Sequence, residues 1–371
     1  MTRARDNADF VAVTETPLSH RNMVINGDMQ VWQRSTDITA SDGSNEGYNS
    51  IDRWYFNFNS ACPGTLDIDK STDTPSGFGS SMKLKCNATG TPAGSSTDFV
   101  LASTTLEAQY LQRLCYGTAD AKVTTLSWYM KSVNFTTPIG IYLETFDGTK
   151  EYYHVNATPT TSWARYSITI PKSTSATITN DNGHGLLIGF ILSGSDGSVA
   201  EANDSSAWST TQKVYRSNQT NFFASTSNEL YITGLQFELG SNATPYEHRS
   251  YGDELRKCQR YYYRINNEIA GENSFAIGVM DGTTVNQWTI PFPVTMRIAP
   301  TGIYTSGTGS DYAIRQEHTN TLGSAPAHDF CTRNSASGRA TASSGSNMMS
   351  KGGSVFKAVN NSAYLAWSAE L

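Results

Sequence analysis

Residues 246–249 (Tyr-Glu-His-Arg) contain the residue types best suited to acid–base chemistry in this chain. A glutamate beside a histidine can accept and donate protons when both side chains reach a substrate. The segment directly precedes a predicted helix, where polar side chains commonly satisfy free backbone groups. We therefore interpret it as structural rather than catalytic. Metal chemistry has no support, because no HxxxH or HxH spacing joins the histidines, which are His20, His154, His184, His248, His318 and His328.

Four aromatic residues are candidates for ligand binding: Trp32, Trp54, Tyr304 and Tyr312. Their amphipathic rings are of the kind that stack on the faces of pyranose sugars. Trp32 and Trp54 also stand beside Val31 and Tyr55 in strand-like runs. A place in the hydrophobic core is therefore the alternative for both tryptophans, and it is the commoner one.

The composition excludes several classes of protein. Of 371 residues, 16% are charged and 38% are hydrophobic, and the formal net charge is −6. Basic residues are neither numerous nor clustered, so no nucleic-acid surface is expected. Ser, Thr, Asn and Gly make up for the low share of charged residues. This composition favours strands and turns, and it excludes a helical bundle or a disordered chain. No apolar run approaches the ~18 residues of a membrane span, so no membrane insertion is expected.

The cysteines indicate a reducing compartment. No CxxC spacing joins them, and the first residues lack the apolar core of a secretory signal. We expect reduced thiols, no zinc, and synthesis in a cytoplasm. The five are Cys62, Cys86, Cys115, Cys258 and Cys331.

Short alternating segments predict an antiparallel β-sandwich in the N-terminal part. In residues 163–170, every second residue from Ala164 to Ile170 is apolar, as in a half-buried strand. Residues 186–192 (LLIGFIL) are apolar on both faces and should lie in the middle of a sheet. The apolar residues are at even positions before Gly234 (Leu230, Ile232) and at odd positions after it (Leu235, Phe237). This change of parity predicts a β-bulge within one bent strand. Similar runs predict strands at residues 81–86, 123–130, 139–146 and 150–155.

One helix is predicted after the sandwich. Ser250 is its expected N-cap, with Asp253 three residues on, and Leu255, Cys258 and Tyr262 follow at helical spacing. The helix should pass into a strand near the three consecutive tyrosines.

A second β region is predicted beyond residue 266. Residues 275–280, 285–291 and 362–371 have strand patterns, and the prolines in 291–300 predict an edge or irregular segment. Residues 303–353 contain few large apolar side chains. We expect that they either form long loops or gain burial from other subunits.

Several short motifs of glycine, aromatic and charged residues lie near both ends of the predicted sandwich and beyond it. They are residues 26–28 (NGD), 31–34 (VWQR), 52–54 (DRW), 235–240 (LQFELG), 243–249 (ATPYEHR), 254–255 (EL), 258–262 (CQRYY), 290–300 and 369–371. These motifs resemble those of a domain that recurs in tail-fibre and other structural proteins of tailed bacteriophages. The first region also resembles carbohydrate-binding modules of the galactose-binding jelly-roll type, with Met29 where that family usually has an aromatic residue.

The resemblance implies a fold and a domain organisation. The chain would be mainly β: an N-terminal antiparallel jelly-roll sandwich at residues 21–247, a connecting helix at 248–265, and a smaller β domain at 266–371. Residues 1–20 would form an arm. Asp28 and Glu238 could supply oxygens to a structural Ca²⁺, and the alternative is a turn whose carboxylate bonds to backbone. No other cofactor is implied.

The resemblance also implies a function and partners. It indicates a non-enzymatic virion fibre protein of the tail-fibre or receptor-binding type, which would contact host-surface polysaccharide. The protein would form a homotrimer, and its arm would bind tail or baseplate proteins. An architectural head or tail component without a ligand is the alternative. A glycan depolymerase, which needs two opposed carboxylates, is less expected, because depolymerase tailspikes resemble repeated β-helices and no repeat is visible here.

Overall fold

The computed structural model describes residues 20–58, 64–92, 99–194, 199–200, 207–212, 214–216, 219–267, 273–317, 319–343 and 348–371. The predicted arm at residues 1–20 lies outside these residues, except for His20. Contacts divide the chain into two units. Unit 1 runs to Glu254 and includes Leu371, and unit 2 is Leu255–Glu370.

Strands make up most of the regular secondary structure described in unit 1. They are β1 (Asp37–Ser41), β2 (Tyr55–Phe58), β3 (Thr65–Ser71), β4 (Ser81–Ala88), β5 (Phe99–Glu107), β6 (Thr124–Val133), β7 (Ile139–Thr145), β8 (Tyr152–Ala157), β9 (Ala164–Ile170), β10 (His184–Gly194), β11 (Val199–Ala200), β12 (Tyr215–Arg216) and β13 (Glu229–Leu239). In the described part of this unit, 3₁₀ helices lie at Ala108–Leu114 and Phe222–Ala224.

The strands form two antiparallel sheets. The six-stranded sheet has the order β1-β3-β4-β13-β6-β9, and the five-stranded sheet has the order β2-β5-β10-β7-β8. A separate parallel pair joins β11 and β12. Strand β10, whose sequence is apolar on both faces, occupies the centre of its sheet as predicted, and every strand predicted in this unit is present. The mainly β sandwich fold is confirmed.

Aromatic side chains fill the core of unit 1. Trp54 and Phe190 stack with ring centroids 6.1 Å apart, and Trp128 meets Phe190 edge-on at 5.8 Å. All three are fully buried, whereas Tyr166 is partly buried where it packs against this core. Burial of such rings stabilises the fold by roughly 1.5–3 kcal/mol each.

Strand β13 contains the predicted bulge. Its register with β6 shifts between Thr233 and Gln236, and Gly234 has φ +64°. Leu230 and Ile232 face the core before the shift. Leu235 and Phe237, of the opposite parity, face it afterwards, so one continuous strand presents both apolar phases to the same core.

The predicted helix, α1 (Tyr251–Gln259), is present. The Ser250 hydroxyl oxygen accepts a hydrogen bond from the Asp253 backbone N–H at 3.2 Å and donates one to the Asp253 carboxylate at 2.6 Å, so the predicted N-cap is confirmed. The chain then enters a strand at Tyr262, as expected. No helix in the described ranges is long and apolar enough to cross a membrane.

Unit 2 contains two further sheets. Its strands are β14 (Tyr262–Asn266), β15 (Ser274–Asp281), β16 (Val285–Pro291), β17 (Tyr304–Thr305), β18 (Tyr312–Gln316), β19 (Thr319–Leu322), β20 (Ala327–Cys331), β21 (Ser335–Thr341), β22 (Gly353–Ala358) and β23 (Tyr364–Ser368), with a 3₁₀ helix at Gly309–Asp311. One sheet has the order β14-β23-β17 and the other β19-β18-β22-β15-β16-β21-β20.

The expectation of long loops at residues 303–353 is wrong. This region supplies β17 to β21 and the start of β22. Its residues are small because a large ring lies against them: a Cβ on Gly338 would approach the Trp288 ring to 2.3 Å. Ala336 and Ala340 are fully buried in the same core. Tryptophan therefore supplies the apolar surface that the small side chains lack.

Candidate functional site

The Asn26-Gly27-Asp28 motif forms a turn held against β13. The Met29 N–H donates to the Asn26 carbonyl at 3.2 Å, and Asn26 has the left-handed φ of +58°. Gly27 is needed for close approach, because a Cβ there would lie 2.2 Å from the Leu235 carbonyl oxygen. The Leu235 N–H also donates to the Gly27 carbonyl at 2.8 Å. The predicted tight turn is present, and its glycine serves packing rather than positive φ.

Glu247 and Arg249 have structural partners. A Glu247 carboxylate oxygen accepts from the Asn22 N–H at 2.8 Å and lies 3.3 Å from the Arg249 guanidinium. Arg249 also donates to the carbonyls of Val24 and Asn22 and pairs with Glu254 at 3.2 Å. Burial raises the pKa of Glu247, but these hydrogen bonds outweigh it and leave the pKa below its usual value. The sequence predicts that these side chains bond to backbone groups at the start of the helix. Most of their partners lie instead at Asn22 and Val24.

The two carboxylates expected to hold calcium occupy separate networks. Asp28 is 3% exposed, and its Oδ2 accepts from the Gln30 amide. Glu238 accepts from Gln236 Nε2 at 2.8 Å and from the Thr244 N–H at 2.9 Å. Among the described residues, no group of three or more His, Cys, Asp or Glu side chains could hold a metal ion. The calcium site stays a prediction.

Asp28 is nevertheless unusual. Its Oδ1 is buried and has no hydrogen-bond partner in the described part of the chain. Burial raises the pKa of Asp28, the Gln30 bond opposes that rise, and the neighbouring Glu254 carboxylate adds to it.

The four predicted ligand-binding aromatics do not share one site. Trp54 and Tyr312 are fully buried, so neither ring has a free face for a sugar, and both are core residues. Trp32 packs partly buried against the core of unit 1, and its Nε1–H donates to the Met29 carbonyl at 2.7 Å. Tyr304, in unit 2, is 56% exposed.

A row of side chains crosses the outer face of the six-stranded sheet. Cross-strand partners are Asp69 with Lys83, Lys83 with Tyr231, and Tyr231 with Lys131. Lys83 and Tyr231 are flanked on both sides along their strands, and Lys131 and Asp69 on one side, by residues of the core, so this set lies on the outer side of the sheet. The Tyr231 ring is 7% exposed there. Trp163 directly precedes β9. We call Lys83, Tyr231, Lys131 and Trp163 the outer row.

Charged and aromatic groups alternate in the outer row. The Lys131 and Lys83 ammonium groups lie 4.7 and 5.7 Å from the centroid of the Tyr231 ring. Trp163 meets the Tyr231 ring edge-on at 6.3 Å and has the Lys131 ammonium 5.9 Å from its own centroid. These distances are in the range of cation–π attraction.

Asp73 orients one end of the outer row. Its carboxylate accepts hydrogen bonds from the Lys131 ammonium and from Trp163 Nε1, the latter at 2.9 Å. These two bonds, that of Lys131 first, hold the pKa of Asp73 below its usual value. The carboxylate is therefore ionised at neutral pH and fixes the direction of both side chains.

Glu229 orients the other end. It pairs with the Lys83 ammonium at 2.9 Å and accepts from the Tyr231 hydroxyl at 2.7 Å. Burial raises the pKa of Glu229, but the bonds from Lys83 and Tyr231 outweigh it, and the pKa ends below its usual value. Burial and then Glu229 raise the pKa of Tyr231 to about 12.

A second group of rings, the Phe78 cluster (Phe78, Tyr129, Tyr246 and His248), lies over the bulge. The Phe78 centroid is 5.1 Å from those of Tyr129 and Tyr246 and 5.0 Å from that of His248. A Cβ on Gly234 would lie 2.8 Å from Phe78 and 2.9 Å from Tyr129. The bare glycine therefore gives the rings room to lie on the strand.

Arg165 stands next to this cluster. It pairs across strands with Tyr129, and its Cζ is 5.8 Å from the centroid of the Tyr129 ring. Its Nη2 donates to Ser127 Oγ at 3.2 Å and to the Thr244 carbonyl. Ser127 pairs across strands with Ser167, which is exposed. We call Arg165, Tyr129, Ser127 and Ser167 the Arg165 site.

Comparison with known proteins gives low similarities. No family model matches the chain, and no curated protein matches it. An enzymatically active domain of bacteriophage CBA120 tailspike protein 4 has 12% identity and a TM-score of 0.29, covering 59% of this chain and 21% of that one. A putative sugar-binding protein from Bacteroides thetaiotaomicron has 11% identity and a TM-score of 0.32, covering 59% and 100%.

A family 11 carbohydrate-binding module from Clostridium thermocellum, in complex with a mixed-linked tetrasaccharide, is a third such structure. It has 12% identity and a TM-score of 0.29, covering 57% of this chain and 99% of that one. At these values the likenesses do not place the chain in any of these groups.

Proposed function

We propose that this chain is a non-catalytic carbohydrate-binding protein whose sugar-binding surface is the outer face of the six-stranded sheet. The observation that carries the proposal is the outer row. It places the half-buried Trp163 ring and two ammonium groups around the buried ring of Tyr231, on the outer side of the sheet.

Sugar recognition needs flat apolar surface together with hydrogen-bonding groups. Trp163 is half-buried and supplies such a surface, while Lys131 and Lys83 supply donors. Asp73 and Glu229 hold these side chains in place before any ligand arrives. Because fewer rotamers are then lost on binding, a preorganised surface of this kind binds more tightly.

The two carboxylates that orient the outer row, Asp73 and Glu229, are set up for binding rather than hydrolysis. A glycosidase needs one carboxylic acid with a raised pKa that protonates the leaving oxygen. Asp73 and Glu229 are both ion-paired and both have a lowered pKa. Neither can act as that acid at neutral pH.

Measuring binding to a glycan array and to immobilised polysaccharides tests the proposal. Trp163→Ala should weaken binding about tenfold or more, which corresponds to about 1.4 kcal/mol. Tyr251→Ala removes an exposed ring on α1 and serves as the matched control. Loss of binding in Tyr304→Ala, with Trp163→Ala unaffected, would instead place the sugar site in unit 2. Release of reducing ends from the bound polysaccharide would show a depolymerase.

We further propose that the protein is a phage virion fibre component. The motifs at residues 26–28, 235–240 and 243–249 support this, because they resemble those of structural proteins of tailed bacteriophages. Attachment through residues 1–20 and assembly as a homotrimer belong to the same proposal. Ile277 and Val279 on β15 are 82% and 53% exposed, which suits contact with another protein surface.

An architectural role without ligand is the second candidate, and the same exposed apolar residues favour it. Analytical ultracentrifugation of the full chain gives its assembly state. A trimer that binds no glycan in any assay would support the architectural role. A trimer that binds glycan through Trp163 would support the fibre.

A further inference from the structure

Three cations of the outer face lie over tyrosine rings. Lys83, Lys131 and Arg165 lie 5.7, 4.7 and 5.8 Å from the centroids of the tyrosine rings that they cover. A neutral sugar that stacked on these two tyrosines, Tyr231 and Tyr129, would have to displace a charged group. A ligand that carries a negative charge would instead gain from the cations where they already lie.

The three cations differ in how their charge is balanced. Lys83 pairs with Glu229 at 2.9 Å, and Lys131 pairs with Asp73. Arg165 forms no ion pair with any described residue, and its partners, Ser127 Oγ and the Thr244 carbonyl, are neutral. Both of those bonds come from Nη2, so within the described structure Nε and Nη1 have no acceptor. The guanidinium therefore carries an uncompensated charge and unused donors.

We propose that the outer face binds an acidic glycan, and that Arg165 binds the anionic substituent of its sugar. This inference rests on the glycan-binding function proposed above and names the class of ligand. The adjacent Ser167 hydroxyl is exposed and can bond to a sugar hydroxyl, while the Tyr129 ring limits the site on one side. A carboxylate or a sulfate presents the same anionic oxygens to Arg165.

Binding to charge-matched polymer pairs tests the inference. Polygalacturonate and its methyl ester differ in the carboxylate, and dextran sulfate and dextran differ in the sulfate. We expect the charged member of at least one pair to bind more tightly, with an affinity that falls as salt is raised. Preference within the first pair identifies a carboxylate, and preference within the second identifies a sulfate.

Arg165→Gln should reduce binding to the charged polymer roughly ten- to hundredfold, the usual range for losing a hydrogen bond to a charged group. Arg165→Lys should recover part of that loss. Arg256→Gln, at an exposed position on α1, makes the same change in net charge and serves as the control. A thermal melt of each variant confirms that it is folded.

The two proposals fail in different ways. Equal binding to both members of each pair, weakened by Trp163→Ala but unchanged by Arg165→Gln, would overturn the acidic-glycan inference and leave the binding function intact. Binding insensitive to Trp163→Ala would overturn the outer face as the sugar-binding surface, and absence of binding to every glycan would overturn the binding function itself. Absence of binding to both charged polymers, while neutral glycans on the array bind, would also overturn this inference.

Discussion

Gly234→Ala tests whether the bulge positions the rings of the outer face. Gly234 has φ +64°, and an L residue in that conformation costs about 1–2 kcal/mol. The added Cβ would also lie 2.8 Å from Phe78 and 2.9 Å from Tyr129. Forcing an extra carbon into such packing costs about 1–3 kcal/mol. We therefore expect the free energy of unfolding to fall by about 2–5 kcal/mol.

Two further glycines separate the two contributions. Gly77 has φ +93°, and a Cβ added there would have nothing within 4 Å, so Gly77→Ala should show the backbone cost alone. Gly79→Ala meets nothing within 4 Å either and should leave stability unchanged. The free energies come from equilibrium urea unfolding followed by intrinsic tryptophan fluorescence.

The difference between the Gly234 and Gly77 variants measures the contact with the rings. Equal losses for the two would refute the reasoning, because the rings would then not press on the bulge. Gly234→Ala should also weaken polysaccharide binding under conditions in which the variant is fully folded. Gly77→Ala should not.

Two other predictions concern buried groups. Because the pKa of Asp28 is raised, its contribution to stability is present below the ordinary pKa of aspartate and is lost as the pH rises through the folded-state pKa. Asp28→Asn should therefore stabilise the protein at neutral pH and lose that advantage near pH 3, and urea unfolding at both pH values checks this. Gly338→Ala places a Cβ 2.3 Å from Trp288 and should destabilise unit 2 by about 1–3 kcal/mol, measured by hydrogen exchange of β16 and β21. Gly353→Ala, where nothing lies within 4 Å, is its control, and an equal loss there would contradict the argument.

Much of the sandwich could be predicted from the sequence because its strands obey period-2 alternation. The central position of β10 followed from its apolar character on both faces, and the bulge followed from the phase slip at Gly234. The strands of residues 303–353 could not be predicted in the same way. Their apolar partners, Trp288 and Phe356, come from β16 and β22, and the pattern of small residues alone does not show which ring will cover them.

The candidate site was harder to predict than the fold. The ring type of Trp32, Trp54, Tyr304 and Tyr312 suits sugar stacking, yet ring type alone does not distinguish a core aromatic from an exposed one. The outer row combines residues 83, 131, 163 and 231, and strand order alone makes them neighbours. Period-2 patterning could assign each of them to the solvent face, but it could not predict that β13 lies between β4 and β6.

The bulge in β13 connects the packing of the core to the arrangement of the outer face. Before it, Tyr231 faces outward, and after it Gln236 and Glu238, of the opposite parity, face the same way and bond to Thr244. Because side chains alternate strictly along a strand, an unbulged β13 paired as it is near Tyr231 would turn Gln236 and Glu238 into the core. Leu235 and Phe237 would then point outward. One glycine thus lets a single strand seal the core along its whole length while its outer side supports the Phe78 cluster.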